Sequence, residues 1–156
     1  MAISARWLHK EKVLRRLREM PPKVKTELRD AFKKGADDLV STMRARAPHR
    51  TGALRATIIS RFGNSGKVKF AMGAGGESSD LSVVVSAGGQ VNGHDVRYAH
   101  LVEFGTAPHE QGGEFAGTMH PGTPARPFFF VTYRQKRRSL RAARRRAFRK
   151  AVAAGA

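Results

Sequence analysis

Between Pro22 and Pro48 the apolar residues fall at Val24, Leu28, Ala31, Phe32, Ala36, Leu39, Val40, Met43 and Ala47. Steps of three, four and eight residues make one continuous face only on an α-helix. Asp37 and Asp38 fall off that stripe. Pro21-Pro22 breaks whatever precedes the helix, since proline lacks an amide donor and restricts its predecessor, yet both prolines suit a first helical turn. Pro48 ends it. A long amphipathic helix of this kind must lay its stripe on something flat, and the rest of the chain has to supply that surface.

The remaining segments predict it. Residues 3–20 read as a short basic helix with Trp7, Val13, Leu14 and Leu17 near one face. His49 to Gly52 is a turn, and residues 54–62 read as a strand. Gly63 to Gly66 is a reversal into a partner strand over 68–72, with Val68, Phe70 and Met72 on one side. Residues 73–80 are rich in glycine and serine and form a loop. Residues 81–87 are β-branched enough for a central strand, followed by a turn over 88–93. Residues 96–104 fit either a strand or a short helix over 98–103. Residues 107–124 hold so many glycines and prolines that they read as one long loop. Residues 128–154 read as a helix with Phe129, Tyr133, Leu140, Ala143, Ala147 and Ala151 on one stripe, and Phe130, Phe148 and Val152 beside it. The expected fold is α+β, a small antiparallel meander packed by the long first-half helix and the C-terminal helix, with long flexible loops. The expected organisation is a basic helical extension over 1–20, then one domain over 21–156 that includes the basic helix 128–154.

Charge is the outlying property of the composition. The chain has 156 residues, 30 Lys and Arg against 12 Asp and Glu, and a formal net charge of +18. No acid follows Glu114, while Arg134, Lys136, Arg137, Arg138, Arg141, Arg144, Arg145, Arg146, Arg149 and Lys150 crowd the last helix. Arginines three and four apart on a helix repel. The arrangement therefore calls for an anionic partner, either phosphate contacted without sequence readout or an acidic protein neighbour. A membrane surface is a weaker option, because the alanine-rich apolar face offers little area for insertion. No apolar run approaches the ~20 residues of a membrane span, and the N-terminal residues lack a secretory signal's apolar core. Cytosolic assembly is the default expectation.

Catalytic and cofactor chemistry find little support in the residues. There are no cysteines, which excludes disulfides and thiolate metal sites. His9, His49, His94, His100, His109 and His120 lack the close pairing of a zinc site, although His100 and Glu103 would share a helical face. No Gly-x-Ser-x-Gly occurs, and Ser78, Ser79 and Ser82 lie in or beside a loop. Gly73-Ala74-Gly75-Gly76 lacks the Lys-Ser/Thr of a phosphate loop. No enzyme, no cofactor and no small-molecule substrate are expected.

Three segments carry more information than composition does. They are Ala47-Pro48-His49-Arg50-Thr51-Gly52-Ala53-Leu54-Arg55, then Tyr98-Ala99-His100-Leu101-Val102-Glu103-Phe104-Gly105-Thr106, then Pro124-Ala125-Arg126-Pro127-Phe128. In this order and spacing the chain resembles the lambdoid phage gene-product-ten-like family of tail components. Its pattern runs from a helix through A-P-x(1–2)-T-G-x-L-R, strands, Y-A-x-x-V-E-F-G-T and a loop to P-A-x-P-F before a helix. The resemblance extends from about Val24 to Phe148, leaving the extension before Pro21 and the arginine-rich helix as departures. The residues carrying it are Pro48, Thr51, Gly52, Leu54, Arg55, Tyr98, Glu103, Phe104, Gly105, Pro127 and Phe128.

The resemblance implies a structural virion protein, a tail-terminator or tail-completion subunit that forms a homo-oligomeric ring, commonly sixfold, at the neck. Its partners would be itself, the head connector or stopper and the tail tube proteins, with packaged DNA in the channel. It would be assembled in the host cytoplasm, with no membrane role. The loops 73–80 and 107–123 would mould onto the rings above and below. Lining the DNA path too strongly would impede passage, which favours protein docking for much of the charge. Two alternatives stand beside this. One is a stand-alone, sequence-independent nucleic-acid-binding protein, which the lack of aromatics among the arginines disfavours. The other is a minor component elsewhere in the tail. Within the motifs, Leu54 is expected to point inward, Pro127 to fix the start of the last helix, and Phe128 to Phe130 to anchor it. Tyr98, Leu101, Val102 and Phe104 are expected in the core or at a subunit interface. Glu103, an acid in an apolar run, needs a partner, and Arg55 is the expected one.

Overall fold

The computed structural model of the chain describes residues 21–62, 82–91 and 93–155. The helix expected over 3–20, the reversal at 63–66, the strand at 68–72 and the loop at 73–80 lie outside the described residues.

Helix α1, Pro22–Arg46, follows the proline-bracketed stripe and buries Val24, Leu28, Ala36, Leu39, Val40 and Met43, with Asp37 and Asp38 exposed. It stops as the sequence requires. Ala47, the residue before Pro48, turns to φ −59° and ψ 135° while its amide still donates to the Met43 carbonyl at 2.9 Å.

After the turn the structure departs from the expected strand over 54–62. Ala53–Ala56 forms a short helix, α2, entered through Gly52 in the left-handed region at φ 83°. Alanine, leucine and arginine favour helix, and the Thr57 hydroxyl closes the turn by donating to the Leu54 carbonyl at 2.7 Å. Strand β1, Ile59–Phe62, begins only once that turn is closed. It pairs antiparallel with β2, Val83–Ser86, in the register Ile59↔Ser86 and Phe62↔Val83. The fold is α+β with a small antiparallel sheet, as expected, and among the described residues two further two-stranded ladders stand apart from it. Strand β3, Gln90–Val91, lies within the expected turn over 88–93, and it pairs with β4, His94–Asp95, just beyond it. Helix α3, Ala99–Phe104, settles the strand-or-helix ambiguity in favour of helix.

Residues 107–124 are not an unstructured loop. Strands β5, His109–Glu110, and β6, Met119–His120, pair across a 3-10 turn at Gly113–Phe115. Thr106 and Thr123 exchange backbone hydrogen bonds at 2.9 and 3.1 Å, and Gln111 donates to the Thr118 carbonyl at 2.8 Å. The His109 and His120 rings stack at 5.1 Å across the ladder. The glycines and prolines mark this arm's turns.

Helix α4, Phe130–Gly155, runs antiparallel to α1. Lys136 meets Asp38, Leu140 meets Gly35, Arg144 lies over Phe32, and Ala151 packs with Leu28. A side chain on Gly35 would place its Cβ 3.0 Å from Leu140 Cδ2, so glycine lets the two helices approach. The main core joins Leu39, Val40, Met43 and Ala47 of α1 with Leu54, Ile58, Ala87, Val96, Ala99, Phe128 and Phe129. Tyr133, expected on the packed stripe of α4, and Phe148, expected beside it, are instead exposed, because the inward surface narrows to Leu140, Ala143, Ala147 and Ala151.

Met43 is fully buried at the centre of this core. Met43→Ala should cost about 3 kcal/mol, from lost transfer energy plus a residual cavity. Urea unfolding checks this through a lower midpoint with an unchanged slope.

Candidate functional site

The three sequence motifs meet at the N-terminal end of α4. Helix α3 turns Ala99 and Glu103, four residues apart, toward the protein, and leaves Leu101 and Phe104 outside. Glu103 is 3% exposed. Its Oε2 accepts the amides of Phe128 at 2.7 Å and Phe129 at 2.9 Å, and Oε1 accepts that of Phe130 at 2.9 Å. A helix begins with amides that no intrahelical carbonyl can reach, and it carries partial positive charge there. Glu103 answers both needs from a distant segment.

The partner expected for Glu103, Arg55, is engaged elsewhere. Its Nε donates to the Ala47 carbonyl at 2.9 Å, where α1 has run out of amide donors. Arg44 Nε crosses the same corner to the Ile58 carbonyl at 3.1 Å. The first motif is thus a clamp on the C-terminal end of α1. Arg55 leaves α2, not an extended strand, so its side chain returns along the corner instead of crossing to α3. Leu54 is buried as expected, Gly52 makes the left-handed entry, Thr51 is exposed and Pro48 is half-buried.

The second and third motifs are joined backbone to backbone. The Arg126 amide donates to the Val102 carbonyl at 2.8 Å. Gly105, at φ 74°, lies so close to the returning chain that a Cβ would sit 2.6 Å from the Thr123 carbonyl oxygen and 2.8 Å from the Ala125 nitrogen. Pro127 is exposed, Phe128 is fully buried, and α4 starts at Phe130. Thr132, also buried, donates to the Phe128 carbonyl at 2.6 Å and accepts from Arg46 at 3.3 Å. Of the apolar residues of the second motif, Tyr98, Leu101 and Phe104 are exposed and Val102 is half-buried. They are not core.

Sequence reasoning missed the cap, although a signal was present. The Pro-Phe-Phe-Phe start of the last helix offers no Ser, Thr, Asp or Asn to cap it. A helix without a local cap and an unpaired acid in an apolar run are complementary.

Three surface features surround this junction. The arm is exposed almost throughout: from Ala107 to Met119 only Gln111 is even half-buried. On α4, Arg134, Arg137, Arg138, Arg141, Arg144, Arg145, Arg146, Arg149 and Lys150 are all exposed. Among the described residues the helix's ion pair is that of the half-buried Lys136, whose Nζ meets both oxygens of Asp38 at 2.6 and 2.7 Å. Between α1, β2 and α4 lies a mostly apolar cleft of about 440 Å³. No three His, Asp or Glu side chains among the described residues come together as metal ligands would, and no described helix is long and apolar enough to cross a membrane.

Residues 11–105 match the model of a family described as "Bacteriophage HK97-gp10, putative tail-component". No curated protein and no solved structure matches the chain. The matched span takes in the first motif, the second as far as Gly105 and part of the segment before Pro21, so the departure at the N-terminus is shorter than the motifs alone suggest.

Glu103→Ala should leave three amides at the start of α4 without their acceptor. The expected cost is about 3 kcal/mol or more. Thermal melting should show a fall of roughly 6–12 °C for a chain of this size. Amide exchange should quicken first at Phe128, Phe129 and Phe130.

Proposed function

The chain belongs to the HK97 gp10-like family of bacteriophage tail components, and we propose that within the tail it is a ring-forming terminator or completion subunit at the neck. The family match over residues 11–105 is the observation that carries this. A tail component is a structural part of the virion and contacts other virion proteins. The finer role is supported by the surfaces left uncovered. Leu101, Phe104, Phe115 and Met119 are large, apolar and exposed, as residues awaiting a protein neighbour are. A rigid body of two helices on a short sheet suits lateral contacts, and the projecting arm suits contact with another subunit. The neighbours would be further copies, six to a ring, with the connector or stopper on one side and the tube on the other. In this proposal residues 21–156 form one domain.

The exposed cations of α4 support a second component of the role. Arg134, Arg137, Arg138, Arg141, Arg144, Arg145, Arg146, Arg149 and Lys150 would contact either acidic neighbours in the connector and tube or the DNA passing through. A stand-alone nucleic-acid-binding protein is favoured by the same cations alone, and the family match speaks for the tail instead.

Particles made without this chain should accumulate as separate filled heads and tails, or with tails of irregular length, by electron microscopy. Intact tailed particles of normal length would overturn the neck role. Binding of the purified chain to duplex DNA that falls steeply with salt would then favour the nucleic-acid reading.

A further inference from the structure

The arm is physically incomplete as it stands. A two-stranded hairpin is marginally stable in water without a surface behind it. Here Phe115 is 63% and Met119 68% exposed. The arm is also the wrong sign for its chain. Between Tyr98 and Ala125 there is no Lys or Arg, while Glu103, Glu110 and Glu114 are present, in a protein of net charge +18. With Glu103 buried, the arm shows the solvent two acids, Glu110 and Glu114, both exposed.

The cleft has the opposite character. Phe32, Leu39, Val83, Val85, Phe129 and Leu140 line it, and the exposed Arg137 and Arg144 stand along it. The chain's own arm does not fill it, since Phe115 and Met119 remain exposed.

We infer that the arm of one copy docks in the α1–β2–α4 cleft of the next, placing Phe115 and Met119 on its apolar lining and Glu110 and Glu114 beside Arg137 and Arg144. This rests on the ring proposed above and names the contact that closes it. Copies with this much positive charge repel, so they approach where an acidic element meets a basic one. Two unlike patches allow a head-to-tail contact, arm to cleft from copy to copy. Such a contact yields a ring when its rotation closes, whereas a face meeting its own copy stops at a dimer. Apolar burial supplies affinity, and the acid–arginine pairs fix the direction.

The absence of native cysteine makes the test clean. Particles are assembled in a host supplying two full-length variants of different mass, Met119→Cys on the arm and Tyr133→Cys in the cleft, and are then oxidised. The expected product is the mixed disulfide between the two variants, with little of either homodimer. Homodimers alone, or a disulfide from Met119→Cys to a different tail protein carrying a cysteine, would overturn the docking. Copy number per particle separates the two levels of failure. Several copies without the mixed disulfide overturn this contact and leave the ring intact, while one copy per particle overturns both.

Charge exchange gives an independent readout. Glu110→Lys with Glu114→Lys, or Arg137→Glu with Arg144→Glu, should each lower incorporation into particles about tenfold, and all four together should restore most of it. All these positions are exposed, so circular dichroism should stay unchanged. Incorporation unaffected by either pair, or lost without rescue, would count against the contact.

Discussion

Buried at the start of α4, the Glu103 carboxylate accepts three backbone amides in a row. Two unfavourable situations cancel there. A carboxylate removed from water needs donors, and a helix entered through Pro127, Phe128 and Phe129 needs an acceptor. Either alone would destabilise the fold. The pairing fixes α3 against α4, and through the Val102–Arg126 hydrogen bond and the close approach at Gly105 it fixes the root of the arm as well. The position from which the arm leaves the body is therefore set by this side chain together with those backbone contacts, while the rest of the arm is held by its own ladder.

The helix pair solves a different problem. α4 carries cations on most of its circumference and packs on a helix that is itself rich in lysine and arginine. Lys136 and Asp38 make a two-oxygen contact at a partly exposed site, and such a pair contributes at most about 1 kcal/mol. Attraction between the helices must come from the buried stripe. Gly35 permits the close approach that lets Leu140 reach it. Added salt screens the repulsion more than it weakens the apolar contact, so it should tighten this pair.

How far the sequence could be followed depended on whether the governing interaction was local. The stripe from Val24 to Ala47 and its bracketing prolines describe α1 almost to the residue, because helix period and proline sterics act within a turn or two. The strand expected from Leu54 began only at Ile59, since four helix-favouring residues came first. The arm was hidden because glycine and proline mark turns without saying what pairs across them. At the junction, Glu103 was legible as an acid in need of a partner, but the choice between Arg55 and the amides at Phe128 depended on α3 being a helix and on where it packs. The tail-component family was legible in the first two motifs, which fall within the matched residues 11–105 but for Thr106. These motifs turn out to encode a helix clamp and a remote cap, which explains why neither looks like a binding site.

The two ends of the helix pair are held very differently. Near Thr132 the contact is thick: Phe128, Phe129 and Met43 are buried, and Arg46 reaches across to the threonine hydroxyl. At the far end it thins to Val24, Leu28 and Ala151, with Phe32 and Ala147 only partly covered. Opening free energy should fall along α4 from its capped start toward residue 150. The most cationic turns then lie on the portion that can separate from α1 without unfolding the core, so the end of the molecule best suited to meet an anionic partner is also the end that can adjust its shape to one.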